Sequence, residues 1–252
     1  MSRAFPDRVS KVGDDLTRVA GSYLHSVTTG DWSACRVCAL PIEPRFSLCV
    51  QCQIHHESEL PVADRTGFLV YADEPASQTY RMMRGYKEPR TRIAFESIVQ
   101  ALLAVALRGH FRCATKLAET GNDGWSVVPS TKGRTAFVDL VRGLARSPES
   151  EIPISFTPPA PNRNLRPEAW SLPERTPLPE HVVVIDDAWV TGANSQSLAV
   201  RLKQAGAAQV SILTIARVLS PRWEPNTRFL REALPSLPYD WTICPWTRGN
   251  CP

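Results

Sequence analysis

Long apolar runs are missing from this sequence. None approaches the roughly 18 residues a membrane span requires, which predicts no membrane partner. The N-terminal stretch MSRAFPDRVSKVGDDLTRVA lacks the apolar centre of a signal peptide and predicts a chain kept in the reducing cytoplasm. A strong charge of one sign is also missing: 29 Lys and Arg against 25 Asp and Glu leave +4, too little to define a nucleic-acid surface. Glycine is scarce, with 13 residues against 22 prolines, and no internal repeat is visible, so collagen-like architecture is excluded. What is present is 43% hydrophobic and 21% charged residues over 252 positions, a globular composition with room for one large domain or two small ones. Prolines at this density must gather in loops, because each removes a backbone donor.

Val9, Val12, Leu16, Val19, Tyr23 and Val27 recur at spacings of three and four, which predicts a helix from Pro6 to Val27. Residues 31–60 follow, too poor in aliphatics to form a core. GFLVY (67–71) reads as a strand, 93–107 as an apolar helix, WSVVP (125–129) as a strand and 135–145 as a helix. EIPISF (151–156) and HVVVIDD (181–187) read as strands, 195–205 as a helix and QVSILTIARV (209–218) as a buried strand. Aliphatic strands alternating with helices predict an α/β fold with a mostly parallel sheet covered on both faces. The organisation expected is a helical segment (1–30), a small metal ribbon (31–60) and an α/β domain (61–252). The segment 157–180 holds seven prolines without periodicity and interrupts that domain, as a mobile loop or lid does.

Cys35-Arg-Val-Cys38 and Cys49-Val-Gln-Cys52 have the spacing of a tetrahedral four-thiolate zinc site. Metal binding explains how so apolar-poor a segment folds, and a closed site leaves no position for water, so the zinc is structural. His55 and His56 then read as exposed polar residues, and Cys113 as a small buried hydrophobe. Cys244 and Cys251 are open between a small disulfide loop, metal binding and two thiols.

The most informative segment is VVVIDDAWVTGANS. Aliphatics carry Asp186 and Asp187 to the carboxyl end of a parallel strand, where open α/β sheets bind ligands. Thr191, Gly192, Ala193, Asn194 and Ser195 form a turn of small and hydroxylic residues opening a helix, able to aim backbone donors at a phosphate. Carboxylates for sugar hydroxyls beside a phosphate loop fit a ribose 5-phosphate. After the strand at 125–129, Ser130, Thr131, Lys132, Gly133 and Arg134 offer hydroxyls and cations to a diphosphate.

With its four hydrophobics, two acids and small-residue loop, this segment resembles the phosphoribosyl pyrophosphate signature of type I phosphoribosyltransferases, over roughly residues 120–220. The four-cysteine ribbon ahead of it resembles the ComF-like subgroup, associated with DNA uptake in some bacteria. The resemblance implies a Rossmann-like type I phosphoribosyltransferase fold and binding of phosphoribosyl pyrophosphate with magnesium. It also implies transfer of the phosphoribosyl group to a base or amine, with release of pyrophosphate. Asp186 and Asp187 would hold the ribose, and Lys132 and Arg134 would counter the leaving diphosphate. Segment 157–180, with Arg163 and Arg166, would be the mobile loop, and residues 62–118 with the C-terminal tail would build the hood.

Val190 and Asn194 stand where the family loop has its first and last threonines, and TAFVDLVRG replaces the subgroup's Arg-Gly-Phe-Asn-Gln-like stretch. These departures support an alternative: a non-catalytic module that senses nucleotides or assists DNA uptake or processing. Trp189 reads either as a base-stacking ring or as a core cap. Arg81, Arg84, Lys87, Arg90 and Arg92, interleaved with Tyr80 and Tyr86, form a solvated basic loop or a contact for single-stranded nucleic acid. A second copy of the chain is a further candidate partner.

Overall fold

The computed structural model describes residues 5–75, 77–121, 123–157, 164–173 and 177–252. Its centre is a four-stranded, all-parallel sheet of β1 (Arg65–Asp73), β2 (Asp123–Val127), β5 (His181–Trp189) and β6 (Gln209–Leu219), in the order β1-β6-β5-β2. The expected alternation of helices and strands is therefore present. In β5 and β6 both faces are apolar: Val183, Ile185, Leu213 and Ile215 enter one core, Val182, Val184, Val210 and Ile212 the other.

Helix α6 (Ala136–Leu144) follows β2 and packs into the first core through Leu140 and Val141. Helix α7 (Ala193–Gln204) follows β5 and packs into the opposite core through Leu198 and Leu202. Neighbouring parallel strands whose following helices leave to opposite faces open a crevice at their carboxyl ends.

Several boundaries depart from the sequence expectation. The first helix, α1 (Asp7–Ala20), stops at Gly21, and residues beyond it run along the sheet edge, with Val27 donating to the Leu69 carbonyl and Tyr71 donating to that of His25. Within α1 the buried face is Val9, Gly13, Leu16 and Ala20, and Val19, expected on that face, is exposed. Of 151–156, only Ser155–Phe156 is a strand, β3, pairing antiparallel with β4 (Trp170–Ser171); Pro153 has no amide with which to continue a ladder. The segment beginning at Val62, expected in a hood, instead supplies β1 of the main sheet.

The described part of the proline-rich segment is packed down: Trp170 is buried, the Arg201 guanidinium donates to its carbonyl at 3.2 Å, and the Arg166 amide donates to Ser197 on α7 at 2.7 Å. None of its described residues lines the crevice, so the lid expected there is not what they form. Arg163 lies outside the described residues.

Helix α4 (Arg92–Val105) continues through a π turn, Ala106–His110, into α5 (Phe111–Ala118). Against the expectation of no such run, Arg92–Ala118 is one helical stretch long and apolar enough, by length and composition, to cross a bilayer. Its Val99, Leu102, Leu103 and Ala114 lie in the first core, the position of a central helix in an α/β domain.

The cysteine ribbon shares the second core with the sheet. Cys35, Cys38 and Ala39 pack with Phe68, Tyr71 and Trp189, and the Tyr71 hydroxyl donates to the Ala39 carbonyl at 3.0 Å. Helix α2 (Val50–Glu57) buries His55, which meets Gln51 at 3.0 Å, so only His56 of that pair is exposed as expected.

Candidate functional site

A cleft of about 340 Å³ opens at the carboxyl ends of β2 and β5. Both loops singled out in the sequence line it: Ser130, Thr131, Lys132 and Arg134 on one side, Asp186, Asp187 and Thr191 to Ser195 on the other. Gly133 is the exception; it turns the first loop with φ +69°, its amide donating to the Ser130 carbonyl at 3.0 Å.

Strand β5 runs two residues further than expected, to Trp189, so the aspartates sit on rigid strand and not on the loop. Beyond Ile185, β5 is flanked on the β2 side only by the Val128 amide, and there the two carboxylates face the opening. Asp186 is buried, accepts from the Asp187 amide at 2.8 Å and accepts a short hydrogen bond from the Ser195 hydroxyl. Burial, and next the charge of Asp187, push the Asp186 carboxyl up to about 7, partly offset by the Ser195 hydrogen bond. The Ser195 side chain is thereby committed to Asp186 and not to a phosphate.

Two residues of the basic segment, which the sequence places in a solvated loop or a contact for single-stranded nucleic acid, complete the acidic side. Helix α3 (Gln78–Gly85) ends at Tyr86, whose hydroxyl donates to Asp187 Oδ2 at 2.5 Å, and Lys87 forms an ion pair with the same oxygen. Burial and the adjacent Asp187 raise the Tyr86 phenol well above its ordinary value. Tyr86 is fully buried and offers no ring face to a base, while Arg92 is paired with Glu96. The basic segment is therefore split between the cleft, local ion pairs and exposed side chains such as Arg81, Arg84 and Arg90. Its neighbour Glu88 reaches across to Arg134 at 2.7 Å, tying the basic loop to the end of α3.

The second loop is shaped by Trp189. This ring is buried in the core, edge-on to Phe68 at 5.4 Å, so it is a cap of the core and not a base-stacking platform. Gly192 lies over it with φ +78°; a Cβ at that position would sit 2.1 Å from the indole. The first intrahelical bond of α7 runs from the Gln196 amide to the Gly192 carbonyl, so the amides of Asn194 and Ser195 precede it at the helix N-terminus beside the cleft.

Cys35, Cys38, Cys49 and Cys52 are buried with all four sulfurs within 4.8 Å of one another, and Cys38 Sγ lies 3.6 Å from Cys49 Sγ. Sulfurs about 2.3 Å from a tetrahedral zinc are about 3.8 Å apart, so the group suits such an ion. Arg217 joins this centre to the cleft. Fully enclosed on β6, its guanidinium donates to the carbonyls of Cys38 (2.7 Å), Trp189 (3.0 Å) and Val190 (3.3 Å). The ribbon and the loop that follows β5 are thus braced by one buried cation.

The class defined by this arrangement is an α/β protein with an acid-and-cation cleft at the carboxyl edge of its sheet and a cysteine group near the N-terminus. No family model matches the chain, and no curated protein matches it.

Proposed function

We propose that this protein is a type I phosphoribosyltransferase-like protein of the ComF-like kind, which binds phosphoribosyl pyrophosphate with magnesium and transfers its phosphoribosyl group to a base or amine. One observation carries this reading. The paired carboxylates, a helix-opening loop of backbone donors and a basic loop face a single cleft, matching hydroxyls, a phosphomonoester and a diphosphate in one ligand.

In the reaction, a nitrogen nucleophile forms a bond to the anomeric carbon as the bond to the diphosphate oxygen breaks, pyrophosphate leaves with the electron pair, and the proton displaced from the nitrogen passes to solvent. Asp186 and Asp187 orient the ribose hydroxyls. Lys87 pairs with Asp187 and fixes its position, and Lys132 and Arg134 meet the leaving diphosphate, so the chain contributes chiefly positioning and electrostatics. The carboxylate oxygens and the diphosphate are hard donors that fit magnesium, which supplies further neutralisation of the leaving group. Zinc in the cysteine group is structural. Arg134 must exchange Glu88 for diphosphate, because both draw on the same guanidinium.

A second reading rests on Val190, which lines the cleft with an exposed side chain that cannot hydrogen-bond: nucleotide sensing without turnover, including a role beside DNA-processing partners. Pyrophosphate release separates the two. Incubation with phosphoribosyl pyrophosphate, magnesium and either ammonia or a panel of nucleobases should release pyrophosphate with at least one acceptor, and Lys132→Ala should slow it at least ~10-fold, the loss of about 1.4 kcal/mol of charge stabilisation. No release above the uncatalysed rate with any acceptor removes the transferase reading and leaves the sensor.

A further inference from the structure

The structure assigns a second metal centre, formed by His110, Cys113, Cys244 and Cys251, that takes a zinc ion and fastens the C-terminal tail to the central helix. The sequence reads Cys113 as a small buried hydrophobe and leaves Cys244 and Cys251 open between a disulfide, metal binding and two thiols; the fold brings all three to one point with His110. The four ligand atoms lie within 4.8 Å of one another, with His110, Cys113 and Cys244 buried and Cys251 half-buried.

The imidazole is set for coordination. Its Nε2 lies 3.1 Å from the Trp241 carbonyl, which can only accept, so Nε2 carries the proton and Nδ1 presents its lone pair. That Nδ1 is 3.4 Å from Cys251 Sγ. A tetrahedral zinc with ordinary Zn–N and Zn–S bonds of about 2.05 and 2.3 Å would place these two atoms about 3.6 Å apart.

Both halves of the site are built by the backbone. The π turn ends at His110, one helical turn before Cys113, and the Trp246 indole donates to the His110 carbonyl at 3.1 Å. Such turns recur at functional sites because they re-aim side chains. The tail is folded into a knuckle: the Cys244 amide donates to the Gly249 carbonyl and the Arg248 amide to the Cys244 carbonyl, both at 2.8 Å, with Arg248 in the left-handed region at φ +59°. A Cys244–Cys251 disulfide would use two of the four groups, whereas a tetrahedral ion uses all of them. Zinc binding displaces the three thiol protons to solvent and leaves three thiolates, one neutral imidazole and the ion, with a net charge of −1.

The knuckle also reaches the first metal group. The Arg248 guanidinium donates to the carbonyls of Arg36 and Val37, each at 3.1 Å, inside the first CxxC turn. Trp246 packs on Gly67 of β1, where a Cβ would lie 2.9 Å from its ring. The second ion therefore holds the tail that braces the ribbon.

Metal analysis of the full chain, produced with zinc and purified under reducing conditions, tests this. Wild type should carry two zinc ions per chain, Cys38→Ser/Cys49→Ser one, and Cys113→Ser/Cys251→Ser one. Cobalt in the Cys38→Ser/Cys49→Ser protein should give the tetrahedral visible bands and thiolate charge-transfer intensity of a three-sulfur, one-nitrogen site. If that variant fails to fold, the two-ion count in wild type and cobalt spectra summing four-sulfur and three-sulfur sites carry the same conclusion. A wild-type content of one ion or fewer overturns the proposal. So does an intact mass showing a Cys244–Cys251 disulfide in zinc-loaded protein.

Discussion

Replacing Cys38 by serine should lower the melting temperature by ~10 °C and weaken zinc binding at the first metal group. Cys38 contributes a sulfur to the first metal group, and the same sulfur accepts at 3.5 Å from the Arg217 guanidinium that braces Trp189 and Val190, so its loss acts on the ribbon and on that loop together. Structural zinc sites of this kind contribute on the order of 10 kcal/mol to folding, and a three-ligand remnant keeps part of it. A net loss of about 4 kcal/mol, at roughly 2–4 °C per kcal/mol for a chain of this size, gives the shift. Differential scanning calorimetry with metal analysis measures both effects. A variant that melts within ~2 °C of wild type would show that the ribbon is held by burial, since its cysteines share a core with Phe68 and Tyr71.

Gly192→Ala should weaken phosphoribosyl pyrophosphate binding by at least ~100-fold, about 2.7 kcal/mol. Two costs combine. The left-handed backbone costs a non-glycine residue about 1 kcal/mol, and the new Cβ would stand 2.1 Å from the Trp189 ring. Trp189 is locked between Phe68 and the core, so the loop must yield, turning the amides of residues 193–195 away from the phosphate. Gly133→Ala is the informative comparison: φ is +69°, but a Cβ there meets nothing within 4 Å, so the loss should stay below ~10-fold. Equal losses in the two variants would mean that the packing of Trp189 under Gly192 does not set the loop.

The parts of this architecture that depend on local pattern were legible in the sequence. Consecutive aliphatics before Asp186 announced a strand buried on both faces, and two CxxC turns announced one metal group. Contacts between remote segments were not legible. Lys87 and Tyr86 reach Asp187 from a helix end some hundred positions earlier, and nothing in RMMRGYKEPRTR distinguishes a cleft lysine from solvated ones. Arg217 did carry a signal: a single cation in the apolar run QVSILTIARV must find acceptors wherever that strand is buried. His110 and Cys113 sit one helical turn apart and Cys244 and Cys251 flank a short loop, two half-sites whose meeting depends on how the tail returns to α5. The strand expected over 151–156 forms only at Ser155–Phe156, with Glu151 in a single bridge to Trp125, because Pro153 between them has no amide to donate.

The central claim is that the cleft between β2 and β5 is a phosphoribosyl pyrophosphate site organised by the two aspartates. Calorimetric titration of phosphoribosyl pyrophosphate into zinc-loaded protein, with magnesium present, tests it most directly. The account predicts saturable binding of one ligand per chain, lost in Asp187→Asn although that variant melts as a folded protein. Absence of binding heat across several temperatures, or undiminished binding by Asp187→Asn, would contradict it.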